Sequence, residues 1–284
     1  MSSDPTTEGD AEFEWVPAHV DIDRPNAARM YDYYLGGGHN FAADRELAQK
    51  VLRQCPQLPE LARRVRTWLR IAVSTLAGEC GIDQFLDLGS GIPTAGNVHE
   101  IARRVNPDCR LVYVDNEWVA AATADYLIKD LDGVQAIQAD FTKPRQVLEH
   151  PVVQKTLDFS RPIAVIFSMT LHLITDEQNP AAVVAAYRDA TVPGSYLAIS
   201  HGTADNRPDI DKITALYRSA TNAFVPRGRS EVEALFDGYQ LIPPGLVFTA
   251  QWRPEGPVDD EQARLSACYA GVGRKIDPDT AETG

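Results

Sequence analysis

From Gln84 onward the chain alternates short apolar runs with helical stretches, and this alternation constrains the fold more than any other feature. Gln84–Leu88, Arg110–Asp115, Val134–Ala139, Ile163–Ser168 and Tyr196–Ser200 read as buried strands. Helical stretches separate them, one ending near Val105, one over Glu117–Leu131 and one over Ala181–Ala190. Strands joined by helices run parallel, and right-handed crossovers put those helices on both faces of the sheet. The expected fold is α/β, a doubly wound, Rossmann-like, mostly parallel seven-stranded sheet. The last third breaks the rhythm. Helices near Ile210–Ala223 and Ser230–Phe236 precede two strand-like segments, Leu246–Trp252 and Leu265–Val272, with no helix between them. They are expected to close the sheet as an antiparallel C-terminal edge hairpin.

Three helical segments come before the sheet: Asn26–Leu35, a stretch from Ala43, and Leu58–Ala77. In the third, Leu61, Val65, Trp68, Leu69, Ala72, Val73 and Leu76 recur at helical spacing. The organisation that follows is an acidic disordered tail over 1–20, anchored by Phe13 or Trp15, and a helical extension over 21–81 forming a cap. A ligand-binding domain covers 82–276, and a second tail covers 277–284.

Composition narrows the function. A net charge of −13 opposes binding to phosphate backbones, so no nucleic-acid partner is expected. Arg63, Arg64, Arg66 and Arg70 make one local basic cluster, read here as the solvated face of the long helix. No apolar run is long enough to span a bilayer, and the N-terminus lacks the basic and apolar regions of a secretory signal. A cytoplasmic protein without a membrane partner is expected. Cys55, Cys80, Cys109 and Cys268 are widely spaced, which points to buried thiols rather than a metal site.

The candidate site begins at Phe85–Thr94, where a buried strand enters a glycine loop and then a helix. In doubly wound sheets ligands bind at such carboxyl ends, where the strand order reverses. Gly89 and Gly91 let the backbone approach a ligand, with Ser90 between them. Asp87 ends the apolar strand, where an unpaired carboxylate is costly, so a cationic partner is expected. Asp115 ends the second strand at the distance from the loop expected of a ribose-binding acid. Asp140 follows the third and could accept from an adenine amino group while Phe141 packs on the ring. A dinucleotide fingerprint would need a third glycine where this chain has Thr94, which weakens a nicotinamide-dependent oxidoreductase reading.

With Asp87-Leu88-Gly89-Ser90-Gly91, Asp115, Asp140 and a terminal hairpin, the chain resembles class I S-adenosylmethionine (SAM)-dependent methyltransferases. More closely it is similar to the actinobacterial S-adenosyl methyltransferase family, once a domain of unknown function. Arg24–Gly37, Asn40–Glu46, Leu171-His172, Ser200–Asp205 and Tyr269–Lys275 carry that likeness. It departs from the usual patterns at Pro93, where many methyltransferases have glycine, and at Val65, where an asparagine is expected. The resemblance implies S-adenosyl-L-methionine as cofactor and names no acceptor. It adds Asn116 and Ser168 to the cofactor-binding set, and from the N-terminal segment Tyr33, Gly37, Asn40 and Phe41. That segment reads as a lid hinged at Gly36–Gly38, or simply as a helix end with packed aromatics.

His172 and His201 follow the fourth and fifth strands and are the candidates for proton removal from an acceptor. The expected function is methyl transfer to a small-molecule acceptor. The alternative is a non-catalytic SAM-binding or regulatory module, since a fold alone does not establish catalysis.

Overall fold

Three helices precede the first strand in the computed structural model, which describes residues 17, 19–93, 96–205 and 210–277. The expectations for Phe13, Trp15, Thr94 and the tail from 278 fall outside those residues. Helix α1 (Ala27–Tyr34) is capped by Asn26, whose side chain accepts from the Ala28 N–H at 2.8 Å. Helices α2 (Ala42–Gln54) and α3 (Leu58–Gly78) follow. The long α3 serves two cores. Its first half, with Leu61 and Ala62, packs with Met30, Tyr34, Leu47 and Val51, whereas Trp68 to Ala77 lie on the sheet.

The alternating core contains β1 (Gln84–Leu88), α4 (Val98–Val105), β2 (Arg110–Asp115), α5 (Trp118–Ile128) and β3 (Val134–Gln138). It continues through the short α6 (Pro144–Leu148) and α7 (Pro151–Thr156) to β4 (Ala164–Ser168), α8 (Pro180–Ala190) and β5 (Tyr196–Gly202). Then come α9 (Ile210–Tyr217), α10 (Arg229–Ala234), β6 (Tyr239–Leu241), β7 (Val247–Phe248), α11 (Asp260–Arg264) and β8 (Cys268–Lys275). The sheet order is β3-β2-β1-β4-β5-β8-β6, with β7 pairing with β8 off that path. Strands β1 to β5 pair in parallel, and β8 runs antiparallel to β5, β6 and β7. Among the described residues no helix is long and apolar enough to cross a membrane.

The path has the seven strands expected, and the two-residue β7 makes an eighth. Its antiparallel ending differs in detail from an edge hairpin. β8 lies inside the sheet between β5 and β6, and Leu246–Trp252 contributes only Val247 and Phe248 before a 3-10 turn. Tyr239–Leu241, the unforeseen strand, takes the edge. The reason lies in two glycines of β8. A Cβ on Gly273 would come within 2.9 Å of the Tyr239 Cβ, and one on Gly271 within 3.1 Å of the Phe236 ring. Glycine weakens a strand intrinsically, but here it lets bulky neighbours approach the backbone.

The period of two along β1 decides what faces the site. Leu86 and Leu88 point into the core shared with Val147, Val153 and Tyr187 from α6, α7 and α8. Phe85 joins the opposite core, beneath α3 and α4. Asp87 therefore lies on the α3 side of the sheet.

The cap is tied to the sheet by one buried cation. Arg29 is 2 % exposed; its Nε donates to Asp44 Oδ2 at 2.8 Å and its Nη1 to Glu117 Oε1 at 3.1 Å. Its Nη2 donates to the carbonyls of Asp21 and Arg24 at 3.1 and 2.7 Å. Asp44 also accepts the N–H groups of Asn26 and Phe41, each at 2.8 Å. The Glu117 N–H donates to Asp115 Oδ1 at 2.9 Å, and Asp115 Oδ2 accepts from Gly91 N–H at 2.7 Å. A continuous path thus runs from α1 to the glycine loop. Removing one partner of such a network leaves uncompensated buried charge. Arg29→Met should therefore lose about 3–5 kcal/mol of stability, read as a lower urea midpoint with an unchanged slope.

Candidate functional site

A cavity of about 530 Å³ opens where the strand order reverses between β1 and β4. That volume lies within the roughly 300–1,000 Å³ range of small-molecule sites. The carboxyl ends of β1 to β5 form its floor, and residues of α1, α3, α9 and the 221–224 segment cover it. The floor is shaped by close backbone approach. Gly89 has φ +70°, and a Cβ there would lie 2.3 Å from Thr170 Cγ2. Gly91 has φ +66° with open space beside it, so the loop backbone is available to a ligand.

Of the residues singled out in the sequence, Asp87, Gly89, Ser90, Gly91, Asp115, Asn116, Asp140, Phe141, Ser168 and His172 all line this cavity. Asp87 is 4 % exposed, and among the described residues no hydrogen bond reaches its carboxylate. Burial pushes its pKa up to about 7, opposed by the Arg66 guanidinium and reinforced by Asp115. Burial likewise pushes Asp115 up to about 6, against the N–H donors of Glu117 and Gly91. Asp140 moves the other way. Its partial burial is outweighed by bonds from Thr142 Oγ1 and N–H, at 2.6 and 2.9 Å, and by Lys143 at 3.2 Å. Phe141 is held by the Tyr187 hydroxyl on its carbonyl at 2.9 Å and by an edge contact with Phe167.

Five of the expected site residues stand behind the cavity instead. Tyr33, Gly37, Asn40, Phe41 and His201 do not line it. Gly37 and Asn40 belong to a loop folded around buried Asp32, which accepts from Asn40 Nδ2 at 2.9 Å and His39 N–H at 2.8 Å. A Cβ on Gly37 would lie 2.0 Å from Asp32 Oδ1, so close approach explains that glycine. Phe41 packs on Ile92, Val119 and Ala120, with the Arg29 guanidinium 5.1 Å from its ring centre. Tyr33 accepts from Gln49 at 3.4 Å within the cap.

His201 is fully buried. Its Nδ1 meets the Gly202 carbonyl at 2.7 Å and its Nε2 meets Arg227 Nη1 at 3.2 Å. Both nitrogens are thus engaged, and burial lowers its pKa to about 4, with the Arg227 charge adding to the bias. The ring positions Arg227, which also donates to the carbonyls of Leu171 and Ile174 and so holds the turn after β4. His172 does reach the cavity, but its Nδ1 accepts the Gly202 N–H at 3.3 Å. Burial, then His201 and Arg227, hold it well below the ordinary histidine range. The neutral ring therefore carries its proton on Nε2 and offers a donor, not the base expected from sequence.

Several lining residues escaped the sequence reading. Arg66 is the most telling, because it was assigned to a solvated face. Ala62, Val65, Arg66 and Leu69 all line the cavity at i, i+3, i+4 and i+7 spacing, so Arg66 lies within the apolar stripe. That position was its signal. Tyr217, Asn222 and Phe224 come from α9 and the segment after it, whose return over the cavity no local pattern announces.

Comparison with known proteins finds chains of the same fold. A family model described as S-adenosyl methyltransferase matches residues 13–276. A crystal structure from Thermobifida fusca YX, assigned to the methyltransferases, is 40 % identical, with a TM-score of 0.88 over 93 % of this chain and 100 % of its own. A DUF574 family protein from Streptomyces avermitilis MA-4680 is 35 % identical, with a TM-score of 0.85 over 90 % and 100 %. No curated protein matches the chain.

The raised pKa of Asp87 has a thermodynamic sign. An acid whose folded pKa exceeds its unfolded value stabilises the fold at low pH, and that contribution is lost as pH rises through the folded pKa. For Asp87 the window runs from its ordinary 3.8 to about 7. In ligand-free protein, Asp87→Asn should match the parent near pH 4 and gain up to about 4 kcal/mol over it by pH 8. Urea unfolding at both pH values tests this; an equal difference at both would contradict the assigned burial.

Proposed function

Because the chain belongs to the S-adenosyl methyltransferase family, whose cofactor is S-adenosyl-L-methionine, we propose that it transfers that cofactor's methyl group to a small-molecule acceptor. Buried Asp87, without a hydrogen-bond partner among the described residues, is the observation that carries the reading. Asp87 and Arg66 line one end of the cavity with opposite charges, which suits the ammonium and carboxylate of an α-amino acid. Gly91 offers backbone with open space beside it, and Gly89 lets the loop pack against Thr170. Asp115 is held by two N–H donors with lone pairs to spare, and with Asn116 it takes the ribose hydroxyls. Asp140 and Phe141 border the adenine, and Ser168 at the end of β4 lines the same cavity.

When bound, the cofactor supplies an electrophilic methyl group on a cationic sulfur. The chain's own contribution is to hold an acceptor in line and to exclude water, and orientation of this kind can provide most of the acceleration in a displacement. Tyr34 and Tyr217 close the cap over the cavity, their hydroxyls 3.5 Å apart. His172 orients the acceptor as a donor. His201 acts at one remove, as a positioning residue through Arg227. Phe41 and the Asp32 loop, with Gly37 and Asn40, brace the cap from behind, as does Tyr33.

Calorimetry with S-adenosylhomocysteine tests the cofactor end. Binding is expected, with about a 100-fold loss in Asp87→Ala. Affinity should also fall about fivefold from pH 7 to pH 6, because protonation of Asp87 competes with the cation. Unchanged affinity in Asp87→Ala would place the pocket elsewhere. Incubation with labelled SAM and a cell extract then decides between enzyme and binding module: label should enter a product with the parent protein and not with Asp87→Ala.

A further inference from the structure

The cavity has two ends of different chemistry. Asp87, Asp115, Asp140 and Arg66 supply all the Asp, Glu, Lys and Arg side chains among its described lining residues, and all serve the glycine-loop end. Among the described lining residues, the end beneath α1 and α9 has none. Its polar groups are neutral at physiological pH: burial raises the phenols of Tyr34 and Tyr217, and His172 is held uncharged, while Tyr31, at the border, still feels the Arg66 guanidinium.

One wall of this end is aromatic and deliberately placed. The Phe224 ring meets His172 edge-on at 5.2 Å and lies against Tyr217 at 5.3 Å. Tyr217 in turn meets Tyr34 through their hydroxyls. Glycine at residue 202 eases this approach, because a Cβ there would sit 3.2 Å from the ring, tighter than ordinary contact. Gly202 has no left-handed backbone to explain it, so the ring's approach is the reason for the residue. The Val225 N–H donates to the His172 carbonyl at 2.7 Å and the Thr221 N–H to the Pro25 carbonyl at 2.8 Å, which pins the segment at both ends.

We propose, resting on the methyltransferase reading, that the acceptor is an uncharged aromatic molecule whose oxygen or nitrogen accepts a hydrogen bond from His172 Nε2. An acceptor bearing either charge would be buried here without a counterion among the described lining residues, which is unfavourable. A planar ring would instead lie among Phe224, Tyr217 and Tyr34 in the offset or edge contacts aromatic groups prefer. The Nε2–H makes no hydrogen bond to the described protein, so it is free to select a ligand with an acceptor atom.

A naphthalene series tests the proposal by binding alone. The full chain is saturated with S-adenosylhomocysteine and titrated by fluorescence with 2-naphthol, naphthalene, naphthalene-2-sulfonate and 2-naphthylmethylammonium. Saturable binding of 2-naphthol is expected, at least about tenfold tighter than either charged analogue. His172→Phe should weaken 2-naphthol about tenfold while leaving naphthalene nearly unchanged, the mark of one lost hydrogen bond. Phe224→Ala should weaken both, whereas Tyr126→Ala on the outer face of α5 should affect neither. A charged analogue that binds as tightly as 2-naphthol overturns the proposal in the parent protein, independently of whether any variant folds. Equal effects of His172→Phe on naphthol and naphthalene overturn the role of His172. Calorimetry of S-adenosylhomocysteine without naphthol, and the naphthalene series repeated without S-adenosylhomocysteine, separate failure of this proposal from failure of the cofactor reading.

Discussion

The buried Arg29 guanidinium is the contact on which the geometry of the site depends. It satisfies Asp44 in the cap and Glu117 at the start of α5, and Glu117 passes the constraint to Asp115 and Gly91 through backbone donors. A buried cation with two carboxylates is poor evidence for stability as such, because desolvation offsets much of the attraction. Its value here is geometric. Arginine's fork fixes the direction of each bond, so the cap can sit at one angle over the sheet. The loop that must cradle a ligand is set by the same bonds that seat the cover.

Electrostatics at the floor run against folding. Asp87 and Asp115 end adjacent strands, and burial raises both toward neutral pH. A binding site often carries such a cost, since groups arranged for a ligand are poorly satisfied without it. Asp140, by contrast, is satisfied within its own turn by Thr142 and by the more exposed Lys143. The acids at three successive strand ends are therefore unequal, with the ligand-free strain concentrated at the two innermost. A cation delivered beside Asp87 relieves the most costly of them, which couples ligand binding to stability.

The parallel core was legible because each strand and helix there carries its own period and turn signals. Asp87 stood out for the same reason, as a charge in an apolar strand beside glycine. What escaped was decided by tertiary packing. Arg66 read as one of four arginines on a wet face, although its place among Ala62, Val65 and Leu69 put it on the buried stripe. His201 looked like a base at a strand end, but β5 runs two residues further than its apolar pattern suggested and carries the ring into the interior. Gly36–Gly38 suggested a hinge and Asn40 a ligand contact, but Asn40 and the close side of Gly37 both meet the buried Asp32 a few residues earlier. The closing pair β7 and β8 lies within the expected segments, but the edge strand β6 escaped, because β8 spends two positions on glycine, where hydropathy cannot show how closely Phe236 and Tyr239 approach.

The two ends of the cavity also differ in what fixes them. The glycine-loop end is backbone-limited: Gly89 tolerates no Cβ against Thr170, and Gly91 holds a left-handed conformation with open space beside it. Change there breaks the loop itself. The opposite end is walled by side chains from α1, α9 and the 221–224 segment, pieces far apart in sequence that meet only in the folded cap. Substituting a wall residue alters shape and polarity while leaving the glycine loop after β1 in place. A fold built in this way can hold one cofactor constant while its acceptor varies. Under the proposed function, the wall, more than the glycine loop, is where the identity of the acceptor would be set.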